Sequence, residues 1–135
     1  MIQFKHRRKV YYRDVDKMGI VYYSRYFEYF EEARTELLNY IGLSVSTIES
    51  YGFQLPVISS KCKYMHGAKL EQNLIIDTTI TEIPKVKLKI NYSVYETDTK
   101  QHLANGYTVH AFVNESNVPL RIPRKVLARM KLKFK

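Results

Sequence analysis

A chain of 135 residues, 45% of them hydrophobic, is one domain large enough to bury about two-thirds of the surface its unfolded form exposes. A single cysteine, Cys62, excludes an internal disulfide, and no run approaches the roughly 18 apolar residues of a membrane span, so the expectation is a soluble cytoplasmic protein. Lys and Arg outnumber Asp and Glu by 22 to 13, a net charge of +9 that favours a polyanionic partner: nucleic acid, an anionic membrane surface touched peripherally, an acidic carrier protein or a phosphate-bearing small molecule.

Residues 2–12 read as a first strand. From about Tyr22 to Ile41 the apolar positions Tyr26, Phe30, Ala33, Leu37 and Ile41 recur every three or four residues, which is one face of a helix. Gly42 stands where a left-handed C-terminal cap is expected, and LSVSTIES, residues 43–50, gives a short second helix ahead of Gly52. Beyond Gly52 the period falls to two. In KVKLKINYSV, Val86, Leu88, Ile90, Tyr92 and Val94 alternate with Lys85, Lys87, Lys89, Asn91 and Ser93, the pattern of a half-buried antiparallel strand.

Companion strands are predicted at about 54–65, 72–83 and 101–114, with turns at EIPK (82–85) and TDTK (97–100). Pro56, Pro84, Pro119 and Pro123 fall near element boundaries, and no repeat or linker divides the chain, so residues 1–135 read as a single domain. One helix facing five strands predicts an α+β domain, an antiparallel five-stranded sheet wrapped around one long central helix. Such a sheet leaves edge strands unpaired, and pairing between copies would cover them.

Chemistry concentrates at the entry to the helix. DVDKMGIVYYSRYFEYFEEARTELL, residues 14–38, sets Asp14, Asp16 and Gly19 directly before a run in which six of the nine residues after Val21 are aromatic. Taken alone, D-x-D-x-x-G reads as a turn and helix-start device, because Asp favours both places. Ser24 is a candidate cap. Glu28, Glu31, Glu32 and Glu36 read as a solvated helix face, with Arg34 in reach of Glu31. His6, His66, His102 and His110 show no metal-ligand spacing, so no metal and no cofactor are expected.

The longer stretch VYYRDVDKMGIVYYSRYFEYFEEARTELL resembles the signature of the 4-hydroxybenzoyl-CoA thioesterase family of hotdog-fold enzymes, particularly the YbgC-type acyl-CoA thioesterases associated with Tol-Pal. The residues carrying the likeness are Val10, Tyr11, Tyr12, Asp14, Asp16, Gly19, Val21, Tyr22, Phe30, Glu32, Ala33 and Arg34. CKYMHGAKLEQNL and LRIPRKVLARM extend it, while Val15, Lys17, Met18, Tyr23 and Gly67 depart from the family pattern.

The resemblance implies hydrolysis of an acyl-CoA or acyl-carrier-protein thioester by a homo-oligomer, dimer or tetramer. It makes Asp16 the catalytic carboxylate and the Tyr23 backbone N–H the group that polarises the thioester carbonyl. Gly19, Val21, Tyr22 and His66 would surround substrate, and Asp14 would hold the loop. The chemistry suits these parts, since a thiolate leaving group with a conjugate-acid pKa of about 8.5 scarcely needs protonating and one carboxylate suffices. Charge nominates Lys61, Lys63, Lys69, Arg121, Arg124 and Lys125 as phosphate contacts. Two other readings stand beside it: an acyl-thioester-binding protein without catalysis, and a nucleic-acid-binding domain suggested by KHRRK and 12 tyrosines. The second lacks zinc spacing, an RNP-like aromatic pair or a helix-turn-helix glycine turn.

Overall fold

A computed structural model describes residues 1–135. The chain runs β1 (Ile2–Lys9), a 3-10 turn (Tyr12–Asp14), α1 (Arg25–Tyr40), α2 (Val45–Ser50), β2 (Phe53–Gln54), β3 (Val57–Tyr64), β4 (Asn73–Ile80), β5 (Lys87–Glu96), β6 (His102–Asn114), β7 (Pro119–Leu120) and α3 (Arg124–Lys133). Five antiparallel strands lie in the order β1-β4-β5-β6-β3, and the two-residue strands β2 and β7 pair with the far end of β6.

α1 lies across this sheet because its apolar stripe is the predicted one: Tyr26, Phe30, Ala33 and Leu37 are all buried, with Ile41 just beyond the helix. Phe30 stacks on Tyr92 of β5 at 4.3 Å with an interplanar angle of 7°. Gly106 of β6 permits this approach, since a Cβ there would collide with the Lys61 carbonyl oxygen and stand 3.0 Å from the Phe30 ring. Gly42 takes φ +79°, and the Leu43 N–H returns to the Leu38 carbonyl at 2.7 Å, so α1 ends in the expected left-handed cap.

A directional chain of hydrogen bonds crosses the buried sheet face. Arg34 Nη1 donates to the Tyr92 hydroxyl at 3.3 Å, which is 2.7 Å from Thr108 Oγ1. Thr108 Oγ1 is 2.9 Å from His110 Nε2, and His110 Nδ1 lies 3.0 Å from the Leu55 carbonyl oxygen. Since that carbonyl can only accept, Nδ1 carries the proton and Nε2 accepts from Thr108. Burial, with the Arg34 charge nearby, holds the His110 pKa down to about 4 against the opposing bond to Leu55.

Several boundaries differ from the sequence reading. The first strand ends at Lys9, because the Asp14 carboxylate accepts the Tyr11 N–H at 3.0 Å and turns the chain. The segment 54–65 divides at Pro56 into β2 and β3, and the short β7 is added after β6, giving seven strands rather than five. Val86 precedes β5 and is 51% exposed, whereas Leu88, Ile90, Tyr92 and Val94 are buried. The closing segment forms α3, which docks through Val126 and Met130. No helix is long and apolar enough to cross a membrane.

Candidate active site

The loop between the 3-10 turn and α1 is a small hairpin. Val15 pairs with Val21, the Asp16 N–H donates to the Ile20 carbonyl at 2.9 Å, and the Gly19 N–H closes the turn onto the Asp16 carbonyl at 3.0 Å. Gly19 turns the chain at φ +79°, a conformation that L side chains rarely adopt. Asp16 Oδ1 accepts the Met18 N–H at 2.8 Å, which fixes the carboxylate at the base of the hairpin.

A second segment packs against this one. The loop after β3 crosses it, with the Val21 N–H donating to the Ala68 carbonyl at 2.8 Å and Ile20 bridged to Lys69. Gly67 fits closely here, since a Cβ would stand 2.9 Å from Ile20 Cγ2. The Tyr64 hydroxyl donates to the Tyr23 carbonyl at 3.1 Å, tying the end of β3 to the start of α1. Between these elements lies a cleft of about 280 Å³ whose walls include Asp16, Tyr22, Tyr23, Tyr26, Tyr64 and His66. Its tyrosines pack ring against ring: Tyr22–Tyr23 at 4.6 Å, Tyr26–Tyr64 at 5.3 Å and Tyr23–Tyr64 at 6.5 Å.

The helix start leaves two donors over. The amides of Arg25, Tyr26 and Phe27 turn back onto the carbonyls of Tyr22, Tyr23 and Ser24, and Tyr22 N–H donates to the Asp14 carbonyl at 2.8 Å. Tyr23 N–H and Ser24 N–H find no acceptor in the chain. Ser24 occupies the N-cap position in helical conformation without a side-chain cap bond, which corrects its reading as a cap. The result is an aromatic cleft lined by Asp16 and by Tyr23, whose amide is free at the positive end of a 16-residue helix, with the free Ser24 amide next in the chain.

Charge beneath the loop holds it in place. Arg8 donates from Nη1 to Asp14 Oδ2 at 2.8 Å, from Nε to Glu32 Oε1 at 2.8 Å and from Nη2 to Glu32 Oε2 at 3.0 Å. Its guanidinium carbon lies 4.2 Å from the centre of the Tyr29 ring, and His6 Nε2 stands 3.2 Å from Glu32 Oε1. Burial acts to raise the Asp14 pKa, but the Tyr11 N–H and the Arg8 guanidinium outweigh it and hold the carboxyl below its ordinary value.

Asp16, Val21, Tyr22, Tyr23 and His66, all singled out from sequence, meet in this cleft, and Gly19 shapes the hairpin behind it. Lys61 and Lys63 do not. They face Tyr107 and Asn105 of β6 in the register that sends Cys62 toward the core, so they stand on the opposite side of the sheet from the cleft. Arg121, Arg124 and Lys125 lie at the start of α3, away from it, whereas Lys69 belongs to the loop that borders it. Glu32 is partly exposed but is also the partner of Arg8, and Arg34 contacts Tyr92 rather than Glu31.

Tyr26, Tyr64 and Met65 are cleft residues that the sequence reading left out of the site. Tyr64 could have been found from the period-two register of β3, which puts it on the same face as Cys62. Arg8 also had a signal. It follows Ile2, Phe4 and His6 on the inward phase of β1, where a charge demands a partner.

Comparison with known proteins gives the family. The family model described as the Thioesterase-like superfamily matches residues 10–130. An Aquifex aeolicus protein named for esterase activity is 30% identical over 128 residues, covering 95% of this chain and 98% of the relative. The acyl-CoA thioesterase YbgC of Haemophilus influenzae is 36% identical over 76 residues, 56% of each chain. The crystal structure of Slr0204, a 1,4-dihydroxy-2-naphthoyl-CoA thioesterase from Synechocystis, superposes with a TM-score of 0.87 at 24% identity, covering 96% of both chains. The chain belongs to the Thioesterase-like superfamily and has the hotdog fold. Within it, the resemblance to YbgC-type acyl-CoA thioesterases read from residues 10–38 holds.

Proposed function

We infer that this protein hydrolyses acyl-CoA thioesters to a free acid and a thiol. The observation that carries the inference is the joint placement of the Asp16 carboxylate and the unpartnered Tyr23 N–H on one aromatic cleft. A thioester whose carbonyl oxygen lies on the Tyr23 and Ser24 amides gains hydrogen bonds that strengthen as the oxyanion forms. Asp16 then acts on the carbonyl carbon, either by direct attack through an anhydride or by taking a proton from the attacking water. The tetrahedral intermediate collapses with departure of the thiolate, and where Asp16 has attacked directly, water then hydrolyses the anhydride to release the acid and restore the carboxylate. Tyr22, Tyr26 and Tyr64 keep the acyl group in an apolar setting that makes those hydrogen bonds more effective.

The phosphopantetheine arm that CoA shares with acyl carrier protein makes carrier-bound acyl groups a second substrate class. Lys69 and the exposed Lys17 border the cleft and are the cations best placed for a phosphate. The active form is a homo-oligomer in a cytoplasmic setting. Its support is β3, an edge strand on which Val57 and Ile58 are 47% and 50% exposed.

The test is thiol release from a panel of acyl-CoAs by the purified protein, with Asp16→Asn alongside. Release by the wild type, reduced about 100-fold or more in the variant, is expected. Binding of acyl-CoA without thiol release would assign the protein to the non-catalytic class.

A further inference from the structure

The net charge is almost entirely segregated at one end of the chain. Residues 116–135 hold seven Lys and Arg and no Asp or Glu, whereas residues 1–115 hold 15 against 13. Arg124, Lys125, Arg129, Lys131, Lys133 and Lys135 are exposed on or next to α3, whose inward face is Val126 and Met130. None of the seven lies in an ion pair, since the chain's four ion pairs use His6, Arg8 and Arg25 as the cations.

Instead, aromatic rings and a glycine seat the helix. The Lys125 ammonium stands 4.9 Å from the centre of the Tyr51 ring and the Lys133 ammonium 4.8 Å from that of Tyr40. Arg129 lies against Gly42. Within this cationic surface one apolar side chain projects outward: Leu132, 78% exposed between Lys131 and Lys133.

We propose that α3 is a membrane-docking element that binds the surface of an anionic bilayer, with its cations on lipid phosphates and Leu132 entering the headgroup boundary. A polybasic helix carrying an exposed apolar residue fits an interface that is anionic outside and apolar beneath. Nucleic acid fits less well. Its recognition draws on open aromatic platforms, and the two rings next to α3, Tyr40 and Tyr51, are engaged by Lys133 and Lys125. An acidic protein would complement the charge but gives Leu132 no stated role.

Docking here leaves the cleft free. α3 packs at the C-terminal ends of α1 and α2, and the cleft lies at the N-terminus of α1, about 24 Å away along a 16-residue helix. The proposal therefore does not depend on the reaction performed in the cleft.

The test is co-sedimentation of the full chain with phosphatidylcholine vesicles and with vesicles containing phosphatidylglycerol, at low and high salt. The wild type is expected to bind the anionic vesicles alone and to be released by salt. Replacing three cations together, Arg124→Gln, Lys131→Gln and Lys135→Gln, none of which seats the helix, should weaken binding on the order of 100-fold. Leu132→Ser should weaken it while leaving the salt dependence unchanged. Melting temperature and thiol release from soluble acyl-CoA should be kept in both variants, which separates docking from folding and from the cleft. Absence of binding to anionic vesicles, equal binding to neutral ones, or unaltered binding by the triple variant would overturn the proposal. Charge-dependent capture of an acidic carrier protein or RNA without vesicle binding would overturn it in favour of that partner.

Discussion

Arg8 of β1 grips Glu32 of α1 with two parallel bonds, Nε to Oε1 at 2.8 Å and Nη2 to Oε2 at 3.0 Å, and its third donor reaches Asp14 at 2.8 Å. One guanidinium thus ties the edge of the sheet, the central helix and the loop carrying Asp16. Asp14 is buried, so losing Arg8 strands a carboxylate away from water. Arg8→Met is expected to cost about 3 kcal/mol of stability in denaturant unfolding. Adding Asp14→Asn to Arg8→Met should recover part of that loss, because it removes the stranded charge. An additive double variant would contradict this coupling.

The two acids of the loop should separate by assay. Asp16→Asn keeps an oxygen for the Met18 N–H, so the melting temperature should barely change while turnover under saturating acyl-CoA falls about 100-fold or more. Asp14→Asn should lower the melting temperature and reduce turnover less than Asp16→Asn does. A folded, inactive Asp14→Asn beside an active Asp16→Asn would exchange the two roles.

His110 makes stability depend on pH in a definite direction. The folded chain keeps it neutral down to a pKa of about 4, whereas the unfolded chain takes up the proton near the ordinary value of 6.5. Over that window the unfolded state binds more protons, so stability falls as pH falls, by on the order of 3 kcal/mol in all. Above the window the contribution is fully present. Unfolding free energies of wild type and His110→Gln, measured across the window, should show the slope in the first and its loss in the second. The depressed Asp14 pKa acts lower, below the ordinary carboxyl value of 3.8, and should leave this window untouched.

Gly106→Ala tests the packing that brings the helix to the sheet. The added methyl meets a backbone oxygen on β3 and the Phe30 ring, and neither can swing aside as a flexible side chain would. A loss of about 3 kcal/mol in equilibrium unfolding is expected. Gly52→Ala meets nothing within 4 Å but must hold φ +81°, so it should cost less, about 1 kcal/mol.

Much of this architecture was legible because it is periodic. The burial of Tyr26, Phe30, Ala33, Leu37 and Ile41 follows from helical spacing, and that of Leu88, Ile90, Tyr92 and Val94 from strand alternation. α3 escaped because only Val126 and Met130 mark its inner face, among cations that read equally well as a solvated tail. Within the site, Asp16, Gly19 and Tyr23 are neighbours in sequence and could be read together. Alternation along β3 gives the face of Tyr64, but its meeting with Tyr23 and Tyr26 comes only from packing of β3 against the start of α1, and Glu32 meets Arg8 only when the phases of a helix and a strand coincide. Those are long-range relations that local pattern does not encode.

Tyr64 ends the free edge strand and also walls the cleft. A second copy adding a strand along β3 would run past Tyr64 at the cleft wall, which would join subunit association to enclosure of the acyl group. Specific activity would then follow protomer concentration, falling on dilution below the dissociation constant and returning on reconcentration, without unfolding of the individual chains.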